Sequence, residues 1–84
     1  MERIEIDILR KRLDVLDDDI IALLLKRAHV AKQIITEKKK RKFALEDTGR
    51  EQEILKHLCE SAPAEYHSLI ESLYSELFLW VKRQ

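Results

Sequence analysis

Glycine, proline and cysteine each occur once in 84 residues, and aromatic side chains make up 6%. With so few turn formers the chain cannot supply the many tight turns of a sandwich or barrel, and the same scarcity excludes a Pro/Gly-rich disordered tail. A single cysteine, Cys59, rules out an intrachain disulfide and gives no basis for a metal site, so the expectation is a reduced, cytoplasmic setting. Long apolar runs are also missing. The opening MERIEIDILRKRLD alternates charge with aliphatics where a secretory leader would carry an apolar block, and no stretch approaches membrane-spanning length. A soluble chain with no membrane partner is expected. Nor is there an excess of one charge sign, since 16 Lys/Arg balance 16 Asp/Glu.

What remains is 38% charged residues interleaved with aliphatics, the composition of long helices, and the expected fold class is all-α. At this length the chain is one domain, residues 1–84, with a modest core to offset its chain entropy, so help from a partner chain is expected. The charges are unevenly spread: residues 1–42 hold twelve Lys/Arg against eight Asp/Glu, whereas residues 43–84 hold four against eight.

From Ile8 to about Lys42 there is neither glycine nor proline, and Leu9, Leu13, Leu16, Ile20, Leu24, Ala31 and Ile34 recur at spacings of three, four or their multiples. This predicts one amphipathic helix of ~35–40 residues, over ~50 Å long at 1.5 Å per residue, too long for so small a domain to cover. The periodicity stops at FALEDTG, with Gly49 as the breaker. Thr48 followed by Glu51 then fits a capping box for a second helix over about 49–60, whose apolar face is Ile54, Leu55 and Leu58. Pro63 marks the start of a third helix, capped by Ser61 or Ala62, with Tyr66, Leu69, Ile70, Leu73, Leu77 and Val81 as its stripe.

Two charges break the pattern. Continuing the first stripe from Leu24 lands on Arg27 and, eleven residues later, on Lys38, about three turns and ~16 Å along the same face. Both can be read as snorkelling, with their stems on apolar surface and their charged ends in water. The alternative draws on their company: Arg50 and Glu51 open the second helix beside Asp47, close in sequence to the end of the first. Several cations together suit a ligand with more than one carboxylate, each held by paired hydrogen bonds. Arg10 lies seventeen residues and ~25 Å from Arg27, too far to serve the same small ligand within one chain. In an antiparallel two-fold dimer it would complete the neighbour's site.

The segment LRKRLDVLDDDIIALLLKR, with Lys38 and the later Asp47-x-x-Arg50-Glu51, resembles the all-helical chorismate mutases over nearly the whole chain, most closely over residues 8–58. The resemblance implies three helices per chain in an intertwined dimer. It also implies rearrangement of chorismate to prephenate with no cofactor, in sites lined by both protomers. By matching positions, Arg27 and the other protomer's Arg10 would hold the two carboxylates and Lys38 would donate to the ether oxygen. Arg50 would support the carboxylate cluster, Glu51 would take the ring hydroxyl, and Asp47 would act through its backbone. The third helix departs from the family, which places a small polar residue and, four positions later, a glutamine or glutamate near the ether oxygen. Aligning Leu73-Tyr74 with the family's apolar-aromatic pair puts Val81 at the first position and the second just past residue 84. Gln84 fits after a one-residue shift, which puts Glu76 where an apolar residue is expected.

Plainer readings stand beside these. Lys38 to Lys42 can be a solvated helix end complementing the helix dipole, and zero net charge argues against nucleic acid as a partner. Glu51 and Asp47 can be capping residues. His29, His57 and His67 share no metal-ligand spacing, and Phe78 and Trp80 are expected to pack in a bundle or dimer core. Rival functions are an isochorismate pyruvate-lyase of the same fold, which Trp80 favours and Glu51 disfavours, and a non-catalytic helical dimer. A larger partner enzyme that completes the site is left open.

Overall fold

The computed structural model describes residues 2–44 and 47–84, and every regular element among these is helical. It consists of α1 (Glu2–Arg41), α2 (Thr48–Glu60), a 3-10 turn (Ala64–Tyr66) and α3 (His67–Lys82), with no strand. The all-α class is as the composition implies. The chain divides into two compact units, Met1–Val30 and Ala31–Gln84, and α1 contributes to both.

In the first unit α1 starts at Glu2, earlier than the Ile8 where the breaker-free stretch was first read, because nothing in RIEID interrupts helix. Its large aliphatics stay in contact with water: Leu9, Leu13, Leu16 and Ile20 on the expected stripe are all more than half exposed. Ile8, Val15, Ile21 and Leu25, which fall on other sides of the helix, are exposed to the same degree. Apolar side chains therefore surround α1 rather than forming one stripe, a pattern ordinarily found where a helix is enclosed.

In the second unit α1 ends in a Schellman turn. Lys42 takes a left-handed conformation, φ 58°, while Phe43 N donates to Lys38 O at 2.9 Å and Lys42 N donates to Lys39 O at 3.3 Å. Lysine occupies the position usually given to glycine, and the strain this costs is about 1 kcal/mol. Gly49, read as the breaker, lies instead inside the first turn of α2 with no positive φ. The Leu45–Glu46 part of that reading falls outside the described residues.

The N-cap of α2 is Asp47, not Thr48: Asp47 Oδ1 accepts from Arg50 N at 2.9 Å, which leaves Thr48 as the first helical residue. Ser61, considered as a cap for the third helix, closes α2 instead, its N–H donating to His57 O. Pro63 then leads into the 3-10 turn, whose fixed φ suits it. His67 opens α3, half-buried, with its ring Nε2 2.9 Å from Ala62 O.

Helices α2 and α3 pack on each other. Ile54, Leu55 and Leu58 supply the buried side of α2, as expected, joined by Cys59. On α3 the buried line runs through Ile70, Tyr74, Leu77, Phe78 and Val81. Phe78 is 8% exposed and meets Tyr74 edge to face, with ring centroids 6.0 Å apart, and Ile35 of α1 is the other buried apolar residue among those described. Tyr66, Leu69 and Leu73, placed on the same stripe from sequence, remain exposed with Trp80. A helix of this length carries apolar residues on two sides, and α2 covers one of them. No helix among the described residues is long and apolar enough to cross a membrane.

Candidate functional site

The candidate residues fall into the two units. Arg10 and Arg27 belong to the first. Arg10 is well exposed and lies 3.7 Å from Asp7, one turn earlier on α1, a solvated pair that contributes little to stability. Arg27 is half-buried, as a cation on an apolar stripe should be.

The second unit holds Lys38, Asp47, Arg50, Glu51, Val81 and Gln84. Lys38 is half-buried in the last turn of α1, and the Schellman bond to its carbonyl fixes its backbone. Of its neighbours, Lys40 and Arg41 lie 3.8 and 3.7 Å from Glu37 on the same helix, and Lys39 Nζ donates to Gln84 O at 3.3 Å. That last bond ties the end of α1 to the end of α3.

Asp47, Arg50 and Glu51 follow one another through the start of α2. The Asp47 cap orients the Arg50 peptide, and Asp47 O accepts the first helical bond from Glu51 N at 3.1 Å. Arg50 extends along the exposed side toward Glu53, 3.4 Å away. Glu51 turns inward and pairs with Lys82 of α3, Oε1 to Nζ 3.4 Å. The carboxylate thus makes a contact between helices, not the reciprocal bond of a capping box.

Val81 is half-buried in the last turns of α3. Gln84 is exposed, and its side-chain amide turns back to donate to Trp80 O at 3.0 Å. Gln84, which reaches the family's ether-oxygen position only after a one-residue shift, thus has its amide engaged with the end of α3.

A cleft of about 360 Å³ lies between α2 and α3, lined by Thr48, Glu51, Leu55, Phe78, Leu79 and Lys82 among others. Its floor is apolar, and its charged groups are the Glu51–Lys82 pair. Lys82 was not among the residues singled out from the sequence, although a signal for it existed. It stands four residues after Phe78 and seven after Ser75, so helical spacing puts it on the side of α3 that lines the cleft. Among the described residues no group of three His, Cys, Asp or Glu could hold a metal ion.

Arg27 in the first unit and Lys38 in the second are half-buried cations in an all-helical chain, and in the second unit the Glu51 carboxylate faces Lys82. The family model for chorismate mutase type II matches residues 9–84, and the chain belongs to that family. No curated protein and no solved structure matches it.

Proposed function

We propose that the chain is a chorismate mutase that rearranges chorismate to prephenate in a cationic site shared by two protomers. The observation that carries this reading is the family match, which spans residues 9–84 and so takes in Arg10, Arg27, Lys38, Asp47, Arg50 and Glu51. The reaction is intramolecular and needs no nucleophile, proton relay or cofactor. It needs a folded-up conformer and stabilisation of the charge that develops on the ether oxygen as its C–O bond breaks.

The residues divide that work. Arg27, with Arg10 of the second protomer, holds the two carboxylates, and Arg50 adds positive field at the start of α2. Lys38 donates to the ether oxygen, where a fixed ammonium lowers the transition state more than the ground state. Its backbone is held by the turn that ends α1, which supports this role. Glu51 accepts the ring hydroxyl, and Asp47 contributes its backbone, which its own side-chain cap keeps in place. Val81 of α3 and Gln84, just beyond its end, border the site, and Gln84 retains a second amide N–H beyond the one given to Trp80.

An intertwined homodimer is part of the proposal. It is supported by the exposed aliphatics on all sides of α1 and by a single-chain core in which, among the described residues, just Ile35 and Phe78 are below one-tenth exposure. Each protomer acts as one domain, with chorismate as its small-molecule partner and neither nucleic acid nor membrane as another. The lone cysteine fits a reducing compartment, and we place the protein in the cytoplasm as an enzyme of aromatic amino acid synthesis.

The test is to incubate purified protein separately with chorismate and with isochorismate and to identify the products by NMR. Prephenate from chorismate is the expected result. Salicylate and pyruvate from isochorismate would assign the chain to the lyase reaction instead, and turnover of neither would overturn the enzymatic reading in favour of a helical dimerisation module.

A further inference from the structure

The ion pair between Glu51 and Lys82 differs in kind from the pairs Arg10–Asp7, Arg50–Glu53 and Lys56–Glu60. Those three lie within single helices, three or four residues apart, with both side chains more than half exposed. Glu51 and Lys82 instead join α2 to α3 and are 23% and 33% exposed, beside Leu55, Phe78 and Leu79 in the interhelical cleft. With less water to screen them and apolar neighbours to confine them, the two groups attract more strongly than a surface pair does.

A glutamate has three rotatable side-chain bonds, and fixing them costs entropy at the moment a ligand is bound unless something has fixed them beforehand. Lys82 supplies that restraint at one oxygen, Oε1, and a carboxylate has a second oxygen with its own lone pairs. We infer that Lys82 is a positioning residue for the substrate's ring hydroxyl: by holding Glu51 Oε1 it presents Oε2 to the hydroxyl in a preset orientation. The inference rests on the reading of Glu51 as the hydroxyl acceptor. Lys82 itself acts through Glu51. Because the hydroxyl is not broken or formed in the rearrangement, the contact is made equally in ground and transition states, and its loss is felt in KM rather than in kcat.

The experiment is steady-state kinetics on chorismate with wild type, Lys82→Met, Lys82→Arg, Glu51→Ala and the Glu51→Ala/Lys82→Met double variant, each first checked for folding by circular dichroism. Lys82→Met is expected to raise KM by about tenfold, the size of ordering one glutamate side chain, with kcat nearly unchanged. Lys82→Arg, which keeps the charge, restores most of the loss. In the Glu51→Ala background the Lys82→Met change adds nothing further. Should Lys82→Met fail to fold, Lys82→Gln, similar in length but uncharged, carries the same comparison. An unchanged KM, a loss confined to kcat, or independent multiplication of the two single effects would each overturn the positioning role while leaving the mutase reading intact. Absence of prephenate formation by the wild type removes both.

Discussion

Replacing Leu13 with alanine separates a chain that works alone from one that works as a pair. Leu13 is 56% exposed on the single chain, and its stripe neighbours Leu9, Leu16 and Ile20 are 54%, 54% and 59% exposed. If water is its real environment, the change costs no more than a few tenths of a kcal/mol, because leucine and alanine have similar helix propensities. If a second protomer covers it, each copy loses the transfer energy of the removed atoms and leaves a cavity, about 2–5 kcal/mol. Two-fold symmetry removes two such side chains per dimer, so the dissociation constant rises by at least about a thousandfold at 1.4 kcal/mol per factor of ten. Sedimentation velocity, with denaturant unfolding at two protein concentrations, reads both quantities. The expected result is a wild-type dimer whose unfolding midpoint rises with concentration and a Leu13→Ala protein shifted toward monomer. Asp18→Ala, on the opposite side of the helix, serves as the control and should stay within about 0.5 kcal/mol of wild type. A monomeric wild type with a Leu13→Ala variant of equal stability would refute the argument from exposure.

Mixing the inactive variants Arg10→Ala and Arg27→Ala should restore part of the activity, because heterodimers carry one intact site, and no recovery despite subunit exchange would exclude a shared site. Lys42→Gly relieves the left-handed strain at the end of α1 and should stabilise the protein by up to about 1 kcal/mol in chemical denaturation, with turnover unchanged. Asp47→Ala should cost about 1 kcal/mol through loss of the α2 cap, whereas Asp47→Asn, which keeps an accepting oxygen, should cost much less; equal losses would show that the cap contributes nothing measurable.

The long helix was legible because its signal is an absence, a stretch of sequence with nothing in it that stops a helix. Its end was harder to read, since the residue that turns the chain is Lys42 and lysine gives no warning of a left-handed conformation. Gly49 drew attention instead because glycine usually marks such a place, yet here it sits in ordinary helical backbone. The cap of α2 was misplaced by one residue because Asp47 and Thr48 are both good caps, and the choice depends on backbone direction, which local composition does not encode. Arg27 and Lys38 could be found by following a stripe along one helix. The pairing of Glu51 with Lys82 depends on how α2 and α3 are rotated against each other, and helical spacing within either one does not specify that. The exposed sides of α1 and α3 mark where a reading confined to one chain comes to an end.

The connection between the first two helices is closed at both ends by short-range hydrogen bonds. The amide of Phe43 closes the first helix onto the carbonyl of Lys38, and the side chain of Asp47 closes the second onto the amide of Arg50. Neither closure involves a residue from the far side of the connection, so neither one measures the length of what lies between them. The backbone of Lys38 is therefore fixed by the end of its own helix and that of Glu51 by the start of its own, each by bonds that the other helix does not supply.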